Sequence, residues 1–305
     1  MVIDTLMSWA DHTYSHCRGC EPVHIGCDNC YAQGYFRRFG IDVKEVRQRA
    51  SDSYLKQPIK WNREAEEAGV RRRVFPSLCD PFEDWQGPIV DSKGRRLRYG
   101  GRNKYSPGYG GSLQPGWATM TDLRRDFFGM IDQTPYLDWL LLTKWPENIR
   151  RMWYKYGKHP LDCDNPSRSR TTNYGEPLCR ENAHLLYSAS DQETLEAGIG
   201  HLLACRDLSP VLGLSLEPLV GPVDLSPFLG GWRGSLDRVI AGGESGPNAR
   251  PCQIEWIVDI AQQCKAAGVA LFVRQDSGPK AGQQGRIPDD IWAIKEHPNP
   301  QEVKQ

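Results

Sequence analysis

The sequence of 305 residues lacks the features that place a chain in a membrane, in the secretory route or on nucleic acid through bulk charge. No apolar run approaches the roughly 18 residues that a membrane helix needs. Residues 1–10 lack the basic start and the apolar segment of a secretory signal. Lysine and arginine total 38, as do aspartate and glutamate, which gives a formal net charge of zero. Binding to nucleic acid would therefore need a local basic patch.

The ten cysteines are informative because nothing in the sequence marks the chain for export. We expect a cytoplasmic protein, in a reducing compartment where disulfides are rare. In that setting, clustered cysteines indicate metal ligands or redox groups. Cys17, Cys20, Cys27 and Cys30 lie within 14 residues of one another, which predicts a metal site.

The spacing of these cysteines leaves two kinds of metal open. Four thiolates bind one zinc ion tetrahedrally, whereas three thiolates hold a 4Fe–4S cluster with one iron open. The six residues between Cys20 and Cys27 are fewer than a zinc ribbon usually has. Cys30 begins a predicted helix, whose N-terminus stabilises thiolate charge. From the residues alone, iron–sulfur and structural zinc are equal alternatives.

Apolar runs alternate with segments of helical periodicity, which predicts a mainly parallel sheet. Asp191 and Thr121 are predicted helix N-caps, and Gly268 is predicted to end a helix. The predicted strands are 73–79, 137–143, 184–190, 211–217, 238–241 and 269–274. The predicted helices are 30–39, 54–68, 121–131, 147–156, 193–206 and 254–267.

This α/β alternation favours a single domain, 1–305, folded as a partial or complete parallel β/α (TIM-like) barrel. A doubly wound open sheet is the alternative. Two stretches interrupt the rhythm, at about 85–118 and 157–182, and we interpret both as loop insertions.

Several blocks of sequence, in order, carry a resemblance to a known family. They are Cys20-x6-Cys27-x2-Cys30 followed by YA, VFPSLCDPF (74–82), LLTKWPENI (141–149), YSASDQ (187–192), LSLEPLVGPVDL (214–225) and VIAGGESGPNARP (239–251). Through these blocks the chain resembles the phage-associated, three-cysteine-motif proteins of unknown function that are related to radical S-adenosylmethionine enzymes. The blocks span most of the chain.

The resemblance implies a partial β/α barrel with a 4Fe–4S cluster on Cys20, Cys27 and Cys30, after the first strand. It also implies that the open iron binds the amino and carboxylate groups of S-adenosylmethionine. Cys17 has no counterpart in the family pattern, so we interpret it as a spare thiol. The chain departs from the expected pattern at Ser190, where the family has an acidic residue. A second departure is Asn29, where related enzymes often have an aromatic residue, so Tyr31 or Tyr35 is expected to pack against adenine instead.

Polar residues at the ends of predicted strands are the candidate site residues, because these ends converge on one side of a barrel. Lys144 and Glu244 are the predicted catalytic residues, and Asp80 and Thr143 are further candidates. Asp191 could equally be only a helix cap, and Gln275 could simply fill the barrel mouth. The predicted cofactor-binding residues are Tyr31, Ser188, Asp191, Glu217, Gly242, Gly243, Ser245, Arg250 and Gln275.

A basic, aromatic segment within the first insertion suggests a polyanionic partner. Residues 93–104 read KGRRLRYGGRNK, with six basic residues and no acidic one, between Trp85 and Trp117. Guanidinium groups and aromatic rings together suit phosphate contact and base stacking, so 93–117 is predicted to touch a nucleic acid or nucleotide. A solvated loop that contacts a partner protein, or nothing, is the alternative.

The leading hypothesis is a radical S-adenosylmethionine enzyme that modifies a nucleic-acid base or nucleotide and receives electrons from a flavodoxin or ferredoxin. One alternative is a zinc-binding module that recognises nucleic acid without catalysis. Another is a catalytically silent barrel that works as half of a complex.

Overall fold

A computed structural model describes residues 7–99, 116–153, 179–230 and 235–298. Residues 100–115 of the predicted nucleic-acid segment and 157–178 of the second insertion lie outside the described residues. The strands are β1 (His12–Thr13), β2 (Cys17–Arg18), β3 (Arg47–Arg49), β4 (Arg72–Phe75), β5 (Ile89–Val90), β6 (Arg98–Tyr99), β7 (Gly116–Trp117), β8 (Leu137–Thr143), β9 (Ala183–Ala189), β10 (Leu212–Leu216), β11 (Arg238–Ala241) and β12 (Ala270–Val273). The helices are α1 (Tyr31–Arg38), α2 (Asp52–Leu55), α3 (Gln57–Ala68), α4 (Met120–Gln133), α5 (Ile149–Met152), α6 (Gln192–Leu203), α7 (Ile254–Ala267) and α8 (Asp289–Trp292).

The main sheet has seven strands in the order β1-β4-β8-β9-β10-β11-β12, and every neighbouring pair is parallel. It curls into a half-barrel flanked by helices, which confirms the predicted partial TIM-like barrel. β1 and β12 are the two edges, so the barrel is not closed. The first strand was missed because β1 has only two residues, too few for a periodic pattern.

Alternate residues of the strands supply two apolar layers. Leu141 and Leu185 belong to the larger layer, which packs against α6 and α7. Leu140, Leu186 and Ile240 point to the opposite face and join Trp9 and Phe272 in a smaller layer inside the curl. Strands buried on both faces are read from sequence as continuous apolar runs, which is why β8 and β11 were predicted with their observed bounds. The inner layer forms the floor beneath the carboxyl ends of the strands.

Local backbone chemistry sets where the elements begin and end. The predicted strand 73–79 stops at Phe75 because Pro76 has no N–H to donate to a sheet. Asp191 caps α6 in a capping box with Thr194, as predicted. The cap of α4 is Thr119 and not the predicted Thr121. Gly268 ends α7 with a φ of 67°, a left-handed conformation that favours glycine.

The predicted helix 147–156 is shorter in the structure, where the 3₁₀ turn Pro146–Asn148 leads into α5. Its end, 154–156, lies outside the described residues. The insertion at about 85–118 contains short strands as well as loop, since β5 joins a small sheet in the order β2-β3-β5 and β6 pairs antiparallel with β7. None of the helices that the structure describes has the length and apolar character needed to cross a bilayer.

The inner strands are expected to dominate stability. Leu141 on β8 is 0% exposed, so Leu141→Ala should lower the free energy of unfolding by about 2–5 kcal/mol, through lost burial and a residual cavity. Ile59→Ala on α3 is the control, because Ile59 is 44% exposed and should cost less than about 1 kcal/mol. Chemical denaturation of both variants measures the difference, and equal losses would contradict the assignment of β8 to the core.

Candidate functional site

An open cavity lies at the carboxyl ends of the main-sheet strands. Its floor is the inner apolar layer, from which Trp9, Phe75 and Leu142 line the cavity. The structure brings most of the predicted site residues to this one place. Those that line it are Cys20, Cys27, Cys30, Tyr31, Asp80, Thr143, Lys144, Ser188, Glu217, Gly243, Glu244, Ser245 and Gln275.

The three cysteines of the motif share one wall of this cavity but are not drawn tightly together. Cys27 ends the 3₁₀ turn Ile25–Cys27, and Cys30 is the N-cap of α1. Within the part of the chain that the structure describes, one group of three potential metal ligands has all its donor atoms within 4.8 Å of one another. That group does not include Cys20, Cys27 or Cys30. Sulfurs that share a tetrahedral zinc stand about 3.8 Å apart, since each Zn–S bond is about 2.3 Å.

Three thiolates are a donor set that can hold a 4Fe–4S cluster with one iron open. In a 4Fe–4S cluster each thiolate binds a different iron, so its sulfurs stand further apart than those around one zinc. The backbone N–H of Val23 lies 3.4 Å from the sulfur of Cys27, and donation of this kind stabilises a thiolate. Cys30 sits at the positive end of α1. Burial and the neighbouring Cys30 raise the pKa of Cys20 well above its ordinary value, so a bound cation is needed to favour its thiolate.

The loop that carries Cys20, Cys27 and Cys30, here called the cysteine loop, is joined to the end of β9 by His24. Its Nδ1 accepts a hydrogen bond from the N–H of Gly26 at 3.0 Å, and its Nε2 lies 3.1 Å from the carbonyl oxygen of Ser188. Burial lowers the pKa of His24 to about 4, so the neutral ring donates from Nε2 to that carbonyl. A Cβ on Gly26 would lie 2.3 Å from the hydroxyl of Ser190, so glycine is required for this close approach.

Glu244 and Arg250 tie the other end of the loop to β11. Arg250 donates to Glu244 from Nε at 2.9 Å and Nη2 at 2.7 Å, and its backbone N–H donates at 2.8 Å. The side chain of Asn29 donates to the same carboxylate at 3.0 Å. Burial would raise the pKa of Glu244, but the hydrogen bonds from Arg250 hold that pKa below its ordinary value. Glu244 is therefore a positioning residue in this geometry and not a free base.

Glu217 is an acidic residue that lines the cavity and is held by two partners. Arg274 donates to its Oε1 at 2.8 Å, and the indole of Trp9 donates to its Oε2 at 3.0 Å. Both side chains of the Arg274–Glu217 ion pair are at most 10% exposed. The ion pair and the indole hydrogen bond offset the cost of burying this carboxylate, and its predicted role in cofactor binding stays a prediction.

Asp80, in the loop after β4, is hydrogen-bonded to the end of β8. It accepts hydrogen bonds from the hydroxyl of Thr143 at 2.7 Å and from the backbone N–H of Lys144 at 2.8 Å. Burial raises the pKa of Asp80 to about 6, and these hydrogen bonds oppose the rise. The Thr143 hydroxyl is therefore used to hold Asp80, while the Lys144 side chain lines the cavity.

Ser188 offers a polar group for a ligand. It is 1% exposed and lines the cavity, and its hydroxyl oxygen makes no hydrogen bond to any residue that the structure describes. A buried hydroxyl without a partner is costly, so a bound molecule that supplies one would be favoured. Gly243 is needed for packing, because a Cβ there would lie 2.4 Å from the backbone nitrogen of Ser277.

The structure gives other predicted residues a different place or role. Asp191 accepts from the N–H of Thr194 at 2.9 Å as the cap of α6, and is not among the cavity-lining residues. Gly242 and Arg250 likewise support the lining without being part of it. Gln275 lines the cavity, yet its amide is used by the carbonyl of Gly243 and the N–H of Gly282, both at 2.8 Å. Cys17 is fully buried and hydrogen-bonds to Cys79.

Several residues of the lining were not predicted from the sequence, among them Trp9, Ser77, Ser215 and Arg274. Arg274 directly precedes the predicted Gln275 at the end of β12, so its position was a usable signal. Ser77 accepts a hydrogen bond from the hydroxyl of Tyr31 at 2.6 Å through its carbonyl oxygen, a contact that no side-chain pattern reveals.

The fold and this cavity define a half-barrel with three cysteines at the mouth, on the carboxyl side of its strands. The model of a family described as "Protein of unknown function (DUF5131)" matches residues 4–87 and 118–290, and the chain belongs to that family. The match omits 88–117, which falls within the insertion predicted from the sequence. Comparison with curated proteins gave no match, and neither did comparison with solved structures.

The buried carboxylate of Asp80 is expected to make stability depend on pH. Its pKa is about 6 in the folded chain and about 3.9 when unfolded, so the folded state binds the extra proton between these values. The contribution of Asp80 to the free energy of unfolding should therefore fall, by roughly 3 kcal/mol, as the pH rises from about 4 to 6. Asp80→Asn should remove this fall, whereas the exposed control Asp290→Asn should keep it. Urea unfolding across this range measures the effect, and a wild-type profile parallel to that of Asp80→Asn would contradict it.

Proposed function

We propose that the protein is a radical S-adenosylmethionine enzyme in which Cys20, Cys27 and Cys30 hold a 4Fe–4S cluster. The observation that carries the proposal is the arrangement of these three cysteines on one wall of a polar cavity, more widely spread than ligands of one zinc. When bound, such a cluster supplies a low-potential electron for reductive cleavage of the cofactor's sulfonium group. The alternative zinc module would need the cysteines closer together.

The residues around the cavity would bind and orient the cofactor. The Ser188 hydroxyl is available for a ribose or amino group, because nothing described in the protein bonds to it. Glu217 is fixed by Arg274 and Trp9, so its orientation would not have to change on binding. The ring of Tyr31 is half exposed beside Cys30 and offers an apolar face for adenine.

The two predicted catalytic residues now differ in role. Glu244 is saturated by Arg250 and Asn29, so we propose that it positions the loop that carries Cys27 and Cys30. Lys144 remains the candidate for contact with a substrate or with the carboxylate of the cofactor, since it lines the cavity directly after β8. The apolar floor would exclude water from the reacting groups.

Anaerobic reconstitution with iron and sulfide tests this proposal. The wild-type chain should gain a broad absorption near about 400 nm and, with reductant and S-adenosylmethionine, should form 5′-deoxyadenosine. Cys27→Ala should abolish both, because the cluster would lose one of three ligands. Cys264→Ala is the control, since Cys264 is buried on α7 and does not line the cavity. A folded wild-type chain that shows neither signal, or a Cys27→Ala variant that keeps both, would contradict the proposal.

A nucleic-acid base or nucleotide is the proposed substrate class, from the described part of the basic insertion. The guanidinium carbons of Arg96 and Arg98 lie 5.4 and 4.9 Å from the centre of the Trp117 ring. Trp117 is 51% exposed, so its ring and the two charges form a surface that could stack a base and bind phosphate.

A flavodoxin or ferredoxin remains the proposed electron donor.

Binding of a single-stranded oligonucleotide tests this surface. Arg96→Ala/Arg98→Ala should weaken binding and lower the slope of log K against log salt by about 1.4, if each arginine contacts one phosphate. Trp117→Ala should cost about 1–3 kcal/mol through lost stacking. Lys60→Ala/Arg63→Ala is the matched control, since it removes two exposed charges from α3. Equal losses in both double variants would show that only general charge is involved.

A further inference from the structure

His16, Cys17 and Cys79 form a compact buried cluster beside the main cavity. His16 and Cys17 stand at the start of β2, and Cys79 lies in the loop after β4. A ring nitrogen of His16 and the sulfurs of Cys17 and Cys79 all lie within 4.8 Å of one another. These three side chains are 4%, 0% and 8% exposed. The cluster shares no residue with the proposed iron–sulfur site, although Cys79 also lines the main cavity.

We propose that His16, Cys17 and Cys79 bind a zinc ion. Two thiolates and one imidazole are a donor set that zinc uses in proteins, with a fourth position left for water or another donor. The Cys79 sulfur lies 3.6 Å from His16 Nδ1. A tetrahedral zinc sets nitrogen and sulfur ligands about 3.5 Å apart, so these two donors already have the required separation.

The second ring nitrogen of His16 is also consistent with a metal ligand. With Nδ1 on the ion, Nε2 carries the proton and needs an acceptor. Nε2 is buried and makes no hydrogen bond to the described residues. His16 also lines a second, small cavity together with Asp126, where a water molecule could accept a hydrogen bond from Nε2. The ring itself is fixed by stacking on Phe127, with centroids 4.6 Å apart.

The zinc would link the two segments that set the geometry of the proposed active site. Cys17 precedes Cys20 by three residues, and Cys79 directly precedes Asp80. Asp80 in turn holds the hydroxyl of Thr143 and the backbone of Lys144. The ion would therefore have a positioning role, joining the start of the cysteine loop to the end of β8.

The zinc content of a full-length variant without the motif cysteines tests this site by itself. Cys20→Ala/Cys27→Ala/Cys30→Ala, grown with zinc and dialysed, should retain about one zinc ion per chain. Addition of Cys79→Ala or His16→Ala should lower this below about 0.1, because two ligands do not hold zinc tightly. Addition of Cys264→Ala, a buried cysteine elsewhere, should leave it unchanged. Because the motif cysteines are gone, the result does not depend on the proposed enzymatic function.

Cobalt binding to the metal-free wild-type chain gives a second measurement that does not require multiple substitutions. Tetrahedral thiolate coordination should produce intense visible absorption, which His16→Ala should weaken and shift while both thiolates remain. Circular dichroism establishes that each variant is folded. Zinc absent from the motif-free variant together with no thiolate–cobalt absorption in the wild-type chain would overturn the proposal. So would zinc content that is insensitive to Cys79→Ala in a folded variant.

Discussion

The cysteine loop is held in place by buried carboxylates that are each paired with an arginine. Glu83 receives two hydrogen bonds from Arg47, at 2.7 and 2.6 Å, and also accepts from the N–H of Glu21 at 2.7 Å, next to Cys20. Glu244, bound to Arg250, holds the other end of the loop through Asn29. Removal of one partner from such a pair leaves an uncompensated buried charge, which strongly destabilises a fold. The position of all three cysteines depends on these pairs.

The same constraint explains why the cavity is polar yet rigid. Two ion pairs support it, Glu217 with Arg274 and Glu244 with Arg250. Because each carboxylate already has its partner within the protein, a ligand meets groups in fixed orientation. The groups left for a ligand are few, chiefly the Ser188 hydroxyl and the side chain of Lys144. A half-barrel suits this design, because its open edges let the loop that carries Cys20–Cys30 cover the strand ends.

Sequence periodicity predicted the long inner strands and helices well, because β8, β11 and α7 are continuous apolar or amphipathic segments. It also predicted which residues follow the strands, and therefore 13 of the 30 residues that line the cavity. It could not predict how those residues pair. Whether Glu244 is a free base or is bound by Arg250 depends on a contact formed only in the folded chain. The partnership of Cys17 with Cys79 likewise joins segments more than 60 residues apart.

The most direct test of the central claim is the electron paramagnetic resonance spectrum of the reconstituted, reduced chain before and after addition of S-adenosylmethionine. With Cys20, Cys27 and Cys30 as the ligands, one iron of the cluster stays open, and the cofactor should bind there and change the spectrum. The account predicts roughly four iron and four sulfide per chain and a signal that shifts on this addition. A full cluster whose spectrum is unaffected by the cofactor would contradict it.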